Sequence, residues 1–578
     1  MGKAENTLKK YGDKQYTDGK CSSLEMCAVL SITLIAFVLR VWNIGYDLPR
    51  VYRGIEYLEV MRALELGMGQ FNFNRIAKGG LFYLLFFEYG IFFVMLRLMD
   101  VVTSAQDFAI YFLKDLTPFW MIGRMTSVIM GTVSVVLVYL LGKKVFDFRA
   151  GILAALFFAL NPIHIEFSHY ICVDIPMVMM SIASFYMMAF VYSTGLKKYY
   201  LATGLCIALA MLNKFPAIVL FVPFVVVHYA RLRVEGVGLS QGLNRRIVLG
   251  FLIAGTIYVV GAPGILLKPG KLLAMLGLGS SSKKLVNVYS GQTPNLWFHY
   301  SAQLFMNLGL PLFSLVIIGL TRSISMGSWN EKYLSIFCLV FFVALSISHF
   351  REWSAHYLMP IFPPGLLIAS KAMLGVNKIG IRKKWFGEIA LLIIVIAASI
   401  PLANASVNQS RQFSQPNTRE LAKIWIEKNI RPGSKFFMYG FPGLSYSRTV
   451  QLDDMPENLQ RLADEADAEG KKVKARFFRI QASEQKGKAY DLVTAHTRRI
   501  MLEPPETYRK QGIQYVVLDK EYFDDEEDTQ YTKELNESRM QFHRQLLGDP
   551  QVKLVAHFDP NELKSRGPHI EIFKLDID

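Results

Sequence analysis

Carboxylate, histidine and basic side chains gather at the ends of several apolar segments of the sequence. Charged side chains inside or beside such segments are costly to place in a bilayer, so each is a functional candidate by default. A carboxylate can accept the proton of an attacking hydroxyl or bind a divalent metal, and Arg and Lys can neutralise a phosphate. Together these residue types suit a reaction on an anionic lipid headgroup. The candidates are Asp47, Arg50, Arg53, Glu56, Glu59, Arg124, His164, Glu166, His169, Asp174, Lys214, His299, Tyr300, Arg351, Glu352, His356 and Tyr357.

Several of these side chains also have simpler structural interpretations. Arg124 could extend from its segment to the membrane interface, and Lys214 could cap a hairpin. Asp174, two residues before Pro176, is also typical of a helix N-cap. Interfacial or structural roles are favoured for His164, Glu166 and Glu59.

The elements that must hold these residues are those of a membrane protein. The chain is 52% hydrophobic and only 19% charged, whereas soluble chains carry about 25% charged residues. Apolar runs of about 17–25 residues predict spanning helices. We predict eleven spans: 26–46, 119–141, 150–163, 174–193, 199–213, 215–230, 246–266, 300–320, 333–349, 356–373 and 385–403.

The topology depends on one further apolar segment, residues 80–99. If this segment does not cross the bilayer, the short connections rich in Lys and Arg all fall on one side, as the positive-inside rule requires. We therefore expect it to be re-entrant or interfacial, within an outer loop of residues 47–118. The N-terminal tail, residues 1–25, is then cytoplasmic, and the tail of the chain is extracytoplasmic. Pro216 is expected to break a tight hairpin between the spans 199–213 and 215–230.

Residues 404–578 have the composition of a soluble α/β domain. This domain shows no catalytic constellation of its own, so we expect it to cover the site or to help select the acceptor. The formal net charge of +16 indicates membrane topology and anionic headgroups rather than nucleic acid. The five cysteines form neither a disulfide framework nor a zinc pattern. Predicted elements are a helix at 418–428, a charged surface helix at 453–475, and strands at 435–440, 514–519, 552–558 and 570–575.

Five stretches, in order, carry a resemblance to a known family. They include an Arg-led helix that ends in a basic turn, an Asp-x-Pro that opens a span, and a Gly-rich helix that breaks at a Lys. Together they resemble the polytopic glycosyltransferases of the GT-C fold, which include protein O-mannosyltransferases and the transferases that attach aminoarabinose to lipid A. The resemblance covers residues 28–375 and, more weakly, 416–575. The stretches are GQFNFNRIAKGGLFYLLFFEYG (69–90), GRMTSVIMGTVSVVLVYLLGKKVF (123–146), GILAALFFALNPIHIEFSHYICVDIPM (151–177), GLCIALAMLNKFPAIVL (204–220) and HYLMPIFPPGLLIAS (356–370).

The resemblance implies the transfer of a sugar from a polyprenyl-phosphate donor to an acceptor hydroxyl, with inversion at the anomeric carbon. A carboxylate of the first outer loop would act as base, Arg and Lys would hold the lipid phosphate, and Asp174 would support the acceptor or a metal. We expect Glu56 and Asp174 to be catalytic. Contacts with the donor phosphate or the substrate are expected from Arg124, Lys214, His169, His356, Tyr357 and His299.

The chain departs from the family in the first outer loop. The family usually has an adjacent Asp-Glu pair there, whereas this chain has YRGIEYLEVMR at 52–62. Gap-free matching puts Arg53 and Gly54 at the acidic pair, and a shift makes Glu56 the surviving carboxylate. We predict Glu56 as the base, with Glu59 or Asp47 as substitutes, and a changed donor or a lost activity stays open.

A transporter or flippase, or a non-catalytic binder of lipid-linked glycans, is the competing interpretation. A transporter places its charges near the bilayer midplane at broken helices, often with inverted repeats. Here the charges cluster at outer ends, which favours the enzyme. The acceptor stays open among a protein, a glycolipid and a polysaccharide, and so does a divalent metal. We expect a multi-pass protein of the plasma (inner) membrane.

Overall fold

A computed structural model describes most of the chain as a helical bundle followed by a smaller α/β domain. Arg351 and Glu352, and the part of the predicted outer loop at 70–78, lie outside the described residues. The described residues are 22–69, 79–238, 242–264, 295–347, 354–375, 384–439, 448–484, 487–495, 502–519 and 530–576.

The membrane part is built largely from apolar helices. Two 3₁₀ helices, Phe215–Leu220 and Ala355–Ile361, lead directly into the α-helices that begin at Phe221 and Phe362. The α-helices of this part are α1 (Ser23–Val41), α2 (Gly54–Gly67), α3 (Gly80–Leu98), α4 (Ala105–Lys114), α5 (Thr117–Val145), α6 (Phe148–Ala159), α7 (Pro162–Ser168), α8 (Asp174–Thr194), α9 (Lys197–Asn213), α10 (Phe221–Glu235), α11 (Arg245–Gly261), α12 (Leu296–Met326), α13 (Trp329–Ile347), α14 (Phe362–Gly375) and α15 (Lys384–Gln412).

Each of the eleven predicted spans coincides with a helix of this bundle. In the described part of the chain, nine helices, α3 among them, are long and apolar enough to cross a membrane, and the bent pair α6–α7 makes a tenth. The other two predicted spans are α9 and α11, which have 17 residues each. The chain is therefore an integral membrane protein.

Contacts between helix ends define two faces of the bundle. At one of them, the basic face, Lys143 Nζ lies 2.7 Å from Glu25 Oε1, and Lys371 Nζ lies 3.6 Å from Asp147 Oδ2. At the opposite face, the domain face, α15 leads into the C-terminal domain. The start of α1, the end of α5, the start of α6 and the end of α14 thus meet at one face. The eleven predicted spans, without a crossing at residues 80–99, also put these four helix ends on one side of the bundle.

Helix α3, which corresponds to the apolar segment 80–99 of the sequence analysis, makes its polar contacts at the domain face. Its length and composition alone would allow it to cross a membrane. Its partners, however, lie at the ends of α9 and α11 and in the first three turns of α5. These contacts favour a helix that lies across the bundle end, which is the predicted interfacial placement. The contacts are Gly79 with Leu212, Tyr83 with Gly261, Glu88 with Thr126 and Tyr89 with Phe119.

Close packing of α9 against α11 depends on glycine. A Cβ added at Gly204 would lie 2.2 Å from the carbonyl oxygen of Gly250, and one at Gly250 would lie 2.7 Å from the Phe224 ring. The two helix backbones are therefore in direct contact at this point. This contact helps to fix the end of α9, where Lys214 follows.

We expect Gly204→Ala to destabilise the protein by about 1–3 kcal/mol, because the two backbones must move apart to admit a methyl group. Gly255→Ala is the matched control, since among the described atoms nothing lies within 4 Å of a Cβ at this position of α11. Thermal unfolding of the detergent-solubilised protein measures both. Equal unfolding temperatures for the two variants would contradict the packing.

The C-terminal domain contains a sheet that has six strands in the described part of the chain. The strand order is β2-β3-β1-β4-β6-β5. β1 pairs in parallel with β3 and β4, and β6 pairs antiparallel with β4 and β5. Its elements are α16 (Thr418–Asn429), β1 (Lys435–Tyr439), β2 (Asp453–Asp454), α17 (Pro456–Ala468), α18 (Lys472–Glu484), β3 (Ala489–Ala495), α19 (Pro505–Lys510), β4 (Tyr515–Asp519), α20 (Gln530–Gly548), β5 (Val552–Phe558), α21 (Pro560–Leu563) and β6 (Ile570–Leu575).

The four predicted strands and the first predicted helix of this domain are present. Two details differ from the sequence prediction. Residues 453–475 form β2, α17 and the start of α18 instead of one helix, because the chain turns at Gly470, whose φ is +73°. Helix α15 continues to Gln412, past residue 404, where the sequence prediction starts the C-terminal domain.

Candidate functional site

Lys214 and Asp174 form an ion pair at the domain face. Lys214 Nζ lies 2.5 Å from Asp174 Oδ1, and the two side chains are only 9% and 8% exposed. The predicted break at Pro216 is present, and it leaves Lys214 with an extended backbone at the end of α9. Asp174 is the first residue of α8, and Val173 occupies the N-cap position. Asp174 therefore does not act as the cap, and its charge is directed at Lys214.

Tyr357 adjoins this pair, and His356 adjoins Tyr357, with the two ring centres 4.3 Å apart. Lys214 Nζ lies 4.2 Å from the centre of the Tyr357 ring, a cation–π contact. The His356 ring stacks on Phe167 at 4.8 Å, and its Nδ1 lies 2.6 Å from Ser354 Oγ. The structure thus brings Lys214, Asp174, Tyr357 and His356 together, and we call these four residues the Lys214 site.

His299 lies on an element that adjoins the Lys214 site. It stands near the start of α12, with its ring 5.4 Å from that of Tyr300. Helix α12 packs against the 3₁₀ helix Ala355–Ile361, which carries two residues of the site. The helix that carries His299 therefore packs against an element of the site.

Arg124 and Glu56 bind each other. Arg124 Nε and Nη2 donate to the two Glu56 oxygens at 2.9 and 2.8 Å, and both side chains are 1% exposed. Arg124 Nη1 donates to the carbonyl groups of Ile44 and Tyr46 at 2.9 and 2.8 Å. The backbone N–H of Ile171 donates to Glu56 Oε1 at 3.1 Å. Both oxygens of the predicted base are thus bound to Arg124 inside the protein. The Arg124 side chain is likewise bound through all three of its nitrogens and is held inside the protein.

The two substitutes for Glu56 are also engaged. Glu59 Oε1 lies 2.5 Å from Arg62 Nη1. Asp47 Oδ1 lies 2.7 Å from Arg566 Nη2, and Asn417 Nδ2 donates to Asp47 Oδ2 at 3.2 Å. Burial raises the pKa of Asp47 above its usual value, although Arg566 and Asn417 act against this shift. Asp47 therefore connects the membrane part with the C-terminal domain.

His169 is held where the bundle meets the C-terminal domain. Its ring stacks on Phe413 at 4.0 Å with an angle of 9°, and both ring nitrogens contact backbone carbonyl groups at 2.9 and 3.1 Å. His164 lies deeper, with Nδ1 3.0 Å from Arg40 Nη2. Both histidines are fully buried. Their described contacts are structural, as favoured for His164 by the sequence, whereas His169 was expected at the donor.

The described residues offer no fit for a divalent metal. No group of three or more His, Cys, Asp and Glu within the described ranges has the geometry to hold an ion. At Asp174, the expected metal-supporting residue, the described partner is the cationic side chain of Lys214. A cation in this position repels a metal ion, so no step is assigned to a metal.

Sequence reasoning missed the residues of the C-terminal domain that reach this region, namely Phe413, Asn417 and Arg566. Arg566 is 519 positions away from Asp47, its partner. No local spacing can indicate such a contact. The only signal was the position of Asp47 directly after the first span.

The fold and the site define a polytopic membrane protein that has a buried cation–carboxylate site among its helices and a C-terminal α/β domain. Residues 120–254 match the model of the dolichyl-phosphate-mannose-protein mannosyltransferase family. The match includes Lys214 and Asp174, together with Arg124 and His169. It confirms, over this segment, the resemblance to the GT-C glycosyltransferases.

Solved structures with a similar course of the chain are also known. The Archaeoglobus fulgidus oligosaccharyltransferase in the apo form is 15% identical and has a TM-score of 0.49. The alignment covers 88% of this chain and 71% of the oligosaccharyltransferase chain. ArnT from Cupriavidus metallidurans in the apo state is 12% identical and has a TM-score of 0.49, and the alignment covers 95% of this chain and 98% of the ArnT chain. The structure of the same protein bound to undecaprenyl phosphate is 12% identical and has a TM-score of 0.47, and the alignment covers 95% of this chain and 97% of the ArnT chain. No curated protein matches the sequence.

Proposed function

We propose that this protein is a glycosyltransferase that moves a sugar from a polyprenyl-phosphate donor to an acceptor hydroxyl, with inversion at the anomeric carbon. The observation that carries the proposal is the buried Lys214–Asp174 pair at the domain face. The pair lies inside the segment that matches a family whose name specifies a lipid-phosphate sugar donor.

Lys214 is proposed to bind the donor phosphate. Its ammonium group is a compact charge with three donors, suited to a phosphate oxygen. It is held in place by Asp174 and by the Tyr357 ring. As the bond between the anomeric carbon and the phosphate oxygen breaks, the leaving phosphate takes the electron pair, and Lys214 stabilises the resulting charge.

Asp174 is proposed to take the proton of the acceptor hydroxyl. The hydroxyl oxygen forms the new bond to the anomeric carbon from the side opposite the phosphate, which inverts the configuration. Asp174 is preferred to Glu56 because both oxygens of Glu56 bind Arg124. In this arrangement Glu56 and Arg124 position residues 44–56, the segment that follows the first span. His356, Tyr357 and His299 line the part of the site that binds the donor.

We place the reaction at the extracytoplasmic surface of the plasma membrane. The Lys214 site lies at the domain face, opposite the basic face with Lys143 and Lys371. The positive-inside rule makes the basic face cytoplasmic. The acceptor, whether a protein, a glycolipid or a polysaccharide, would then approach from the side of the C-terminal domain.

The test is sugar transfer from radiolabelled polyprenyl-phosphate mannose, glucose and aminoarabinose by the purified protein. We expect release of the sugar from at least one donor, and faster release when an acceptor is present. Movement of the labelled lipid across liposomes without any release of sugar would support the transporter instead. Binding of the lipid without movement or release would support the non-catalytic binder.

A further inference from the structure

We infer that Arg566, at the far end of the chain, is a positioning residue for the transfer reaction, because it fixes the first outer segment, residues 44–56, against the Lys214 site. This inference rests on the proposed function. It assigns to the C-terminal domain a role in positioning the reacting groups, in addition to the roles expected from the sequence. The domain holds the loop from which the catalytic region is built.

Arg566 and Asn417 each bind one of the two carboxylate oxygens of Asp47. Arg566 Nη2 lies 2.7 Å from Asp47 Oδ1, and Asn417 Nδ2 donates to Oδ2 at 3.2 Å. Arg566 is itself fixed by its backbone, which accepts from Thr418 N–H at 2.7 Å and donates to the Pro416 carbonyl at 2.8 Å. Asp47 is therefore held by two side chains of the C-terminal domain, one of which has its backbone hydrogen-bonded within that domain.

Tyr46, the residue before Asp47, lies between two arginines. The Arg566 guanidinium is 4.9 Å from the centre of the Tyr46 ring, and the Arg124 guanidinium is 3.8 Å from it. The Tyr46 carbonyl also accepts from Arg124 at 2.8 Å. A displacement of residues 46 and 47 would therefore move both the ring and the carbonyl that hold Arg124.

The contacts continue from Arg124 to the Lys214 site. Arg124 binds both oxygens of Glu56, and Glu56 accepts from the backbone N–H of Ile171. Ile171 is three residues before Asp174, the partner of Lys214. An unbroken series of hydrogen bonds and short chain segments thus joins Arg566 to the reacting groups.

Other side chains of the C-terminal domain hold the same outer segment. Tyr52 donates from its hydroxyl to Glu420 Oε2 at 3.1 Å, and Gln451 Nε2 donates to the Val51 carbonyl at 2.6 Å. Arg50 also pairs with Glu420. The segment is therefore docked at several points, so a single substitution at Arg566 should shift it without unfolding the protein.

The test compares Arg566→Gln with Arg566→Lys. Arg566→Gln should lower kcat by about tenfold to hundredfold, because a small misplacement of reacting groups has a large effect on rate. The KM for the lipid donor should change much less, since Lys214 is still present. Arg566→Lys keeps the charge at Asp47 and should recover part of kcat.

Arg509→Gln is the matched control. Arg509 Nη2 lies 2.8 Å from Asp549 Oδ2, and the side chains are 16% and 18% exposed, close to the 18% and 10% of Arg566 and Asp47. This pair lies within the C-terminal domain, so its loss should leave kcat unchanged. An equal fall of kcat in both variants would reduce Arg566 to a general stabilising role and overturn the inference.

Hydrogen–deuterium exchange of peptides from residues 44–56 gives a readout that does not need turnover. Exchange should be faster in Arg566→Gln and unchanged in Arg509→Gln. Unchanged exchange in Arg566→Gln, or faster exchange with an unchanged kcat, would overturn the inference. Absence of transfer by the wild type with every donor would instead overturn the proposed function, while the exchange experiment would still report on the docking of the segment.

Discussion

Replacement of Lys214 by methionine is expected to lower kcat/KM for the lipid-linked donor by about 100-fold or more. The ammonium group is the cation of the site that we assign to the leaving phosphate, and removal of one preoriented charge donor from a transition state has effects of this order. Methionine keeps the length of the side chain and its contact with Tyr357. The measurement is the initial rate of sugar release over a range of donor concentrations.

Stability must be separated from chemistry in this variant, because Lys214→Met leaves Asp174 buried without its partner. Loss of one member of a buried pair destabilises proteins by about 3–5 kcal/mol, whereas removal of both charges is often neutral. The double variant Lys214→Met/Asp174→Asn should therefore regain its unfolding temperature and remain inactive. Activity in a stable double variant would contradict the assignment.

A second lysine–aspartate pair in the same bundle provides the control. Lys371 and Asp147 lie 3.6 Å apart at the basic face, opposite the proposed site. Lys371→Met/Asp147→Asn removes the same charges from the protein and should leave transfer unchanged. Equal loss of transfer in both double variants would mean that the Lys214 result reflects bundle stability alone.

Replacement of Glu56 by glutamine is expected to affect stability more than chemistry. Glutamine keeps the shape of the side chain but removes the charge that balances Arg124, and both groups are 1% exposed. The expected cost is about 3–5 kcal/mol. Activity per folded molecule should stay within about tenfold of the wild type, since a positioned base contributes about 100-fold or more.

The double variant Glu56→Gln/Arg124→Gln decides between the two roles of Glu56. If Glu56 positions the loop, neutralisation of both charges should restore much of the stability and should keep measurable transfer. If Glu56 is the base, as the sequence predicted, the double variant should be stable and inactive. Thermal unfolding and sugar release on the same preparations give both quantities.

The membrane helices were predictable because a bilayer imposes a strong rule on sequence. A spanning helix must be apolar over about 20 residues, so the positions of the helices at the eleven predicted spans can be read from the chain. The strand at 552–558 was equally clear, since its apolar residues follow the period of a strand. By contrast, β3, with the sequence AYDLVTA, was missed because Asp491 and Thr494 interrupt its apolar residues.

The residue types at the candidate site could also be predicted, but their pairing could not. Sequence placed Lys214 at a helix break and Asp174 at the start of a span, because Pro216 and the Asp-x-Pro motif fix these local structures. It equally suggested Glu56 as a free base and Arg124 as a phosphate ligand. Nothing in the spacing of positions 56 and 124 indicates that these two side chains neutralise each other.

The sequence by itself determined that this is a polytopic membrane protein, with a C-terminal α/β domain and charged residues at the ends of its helices. Only the tertiary structure decided which charges meet. The physical reason is that ion pairs such as Arg124–Glu56 and Arg566–Asp47 join distant parts of the chain, and their formation depends on helix packing that no local pattern encodes. Once buried, each charge requires its partner, so the packing determines which groups remain for chemistry.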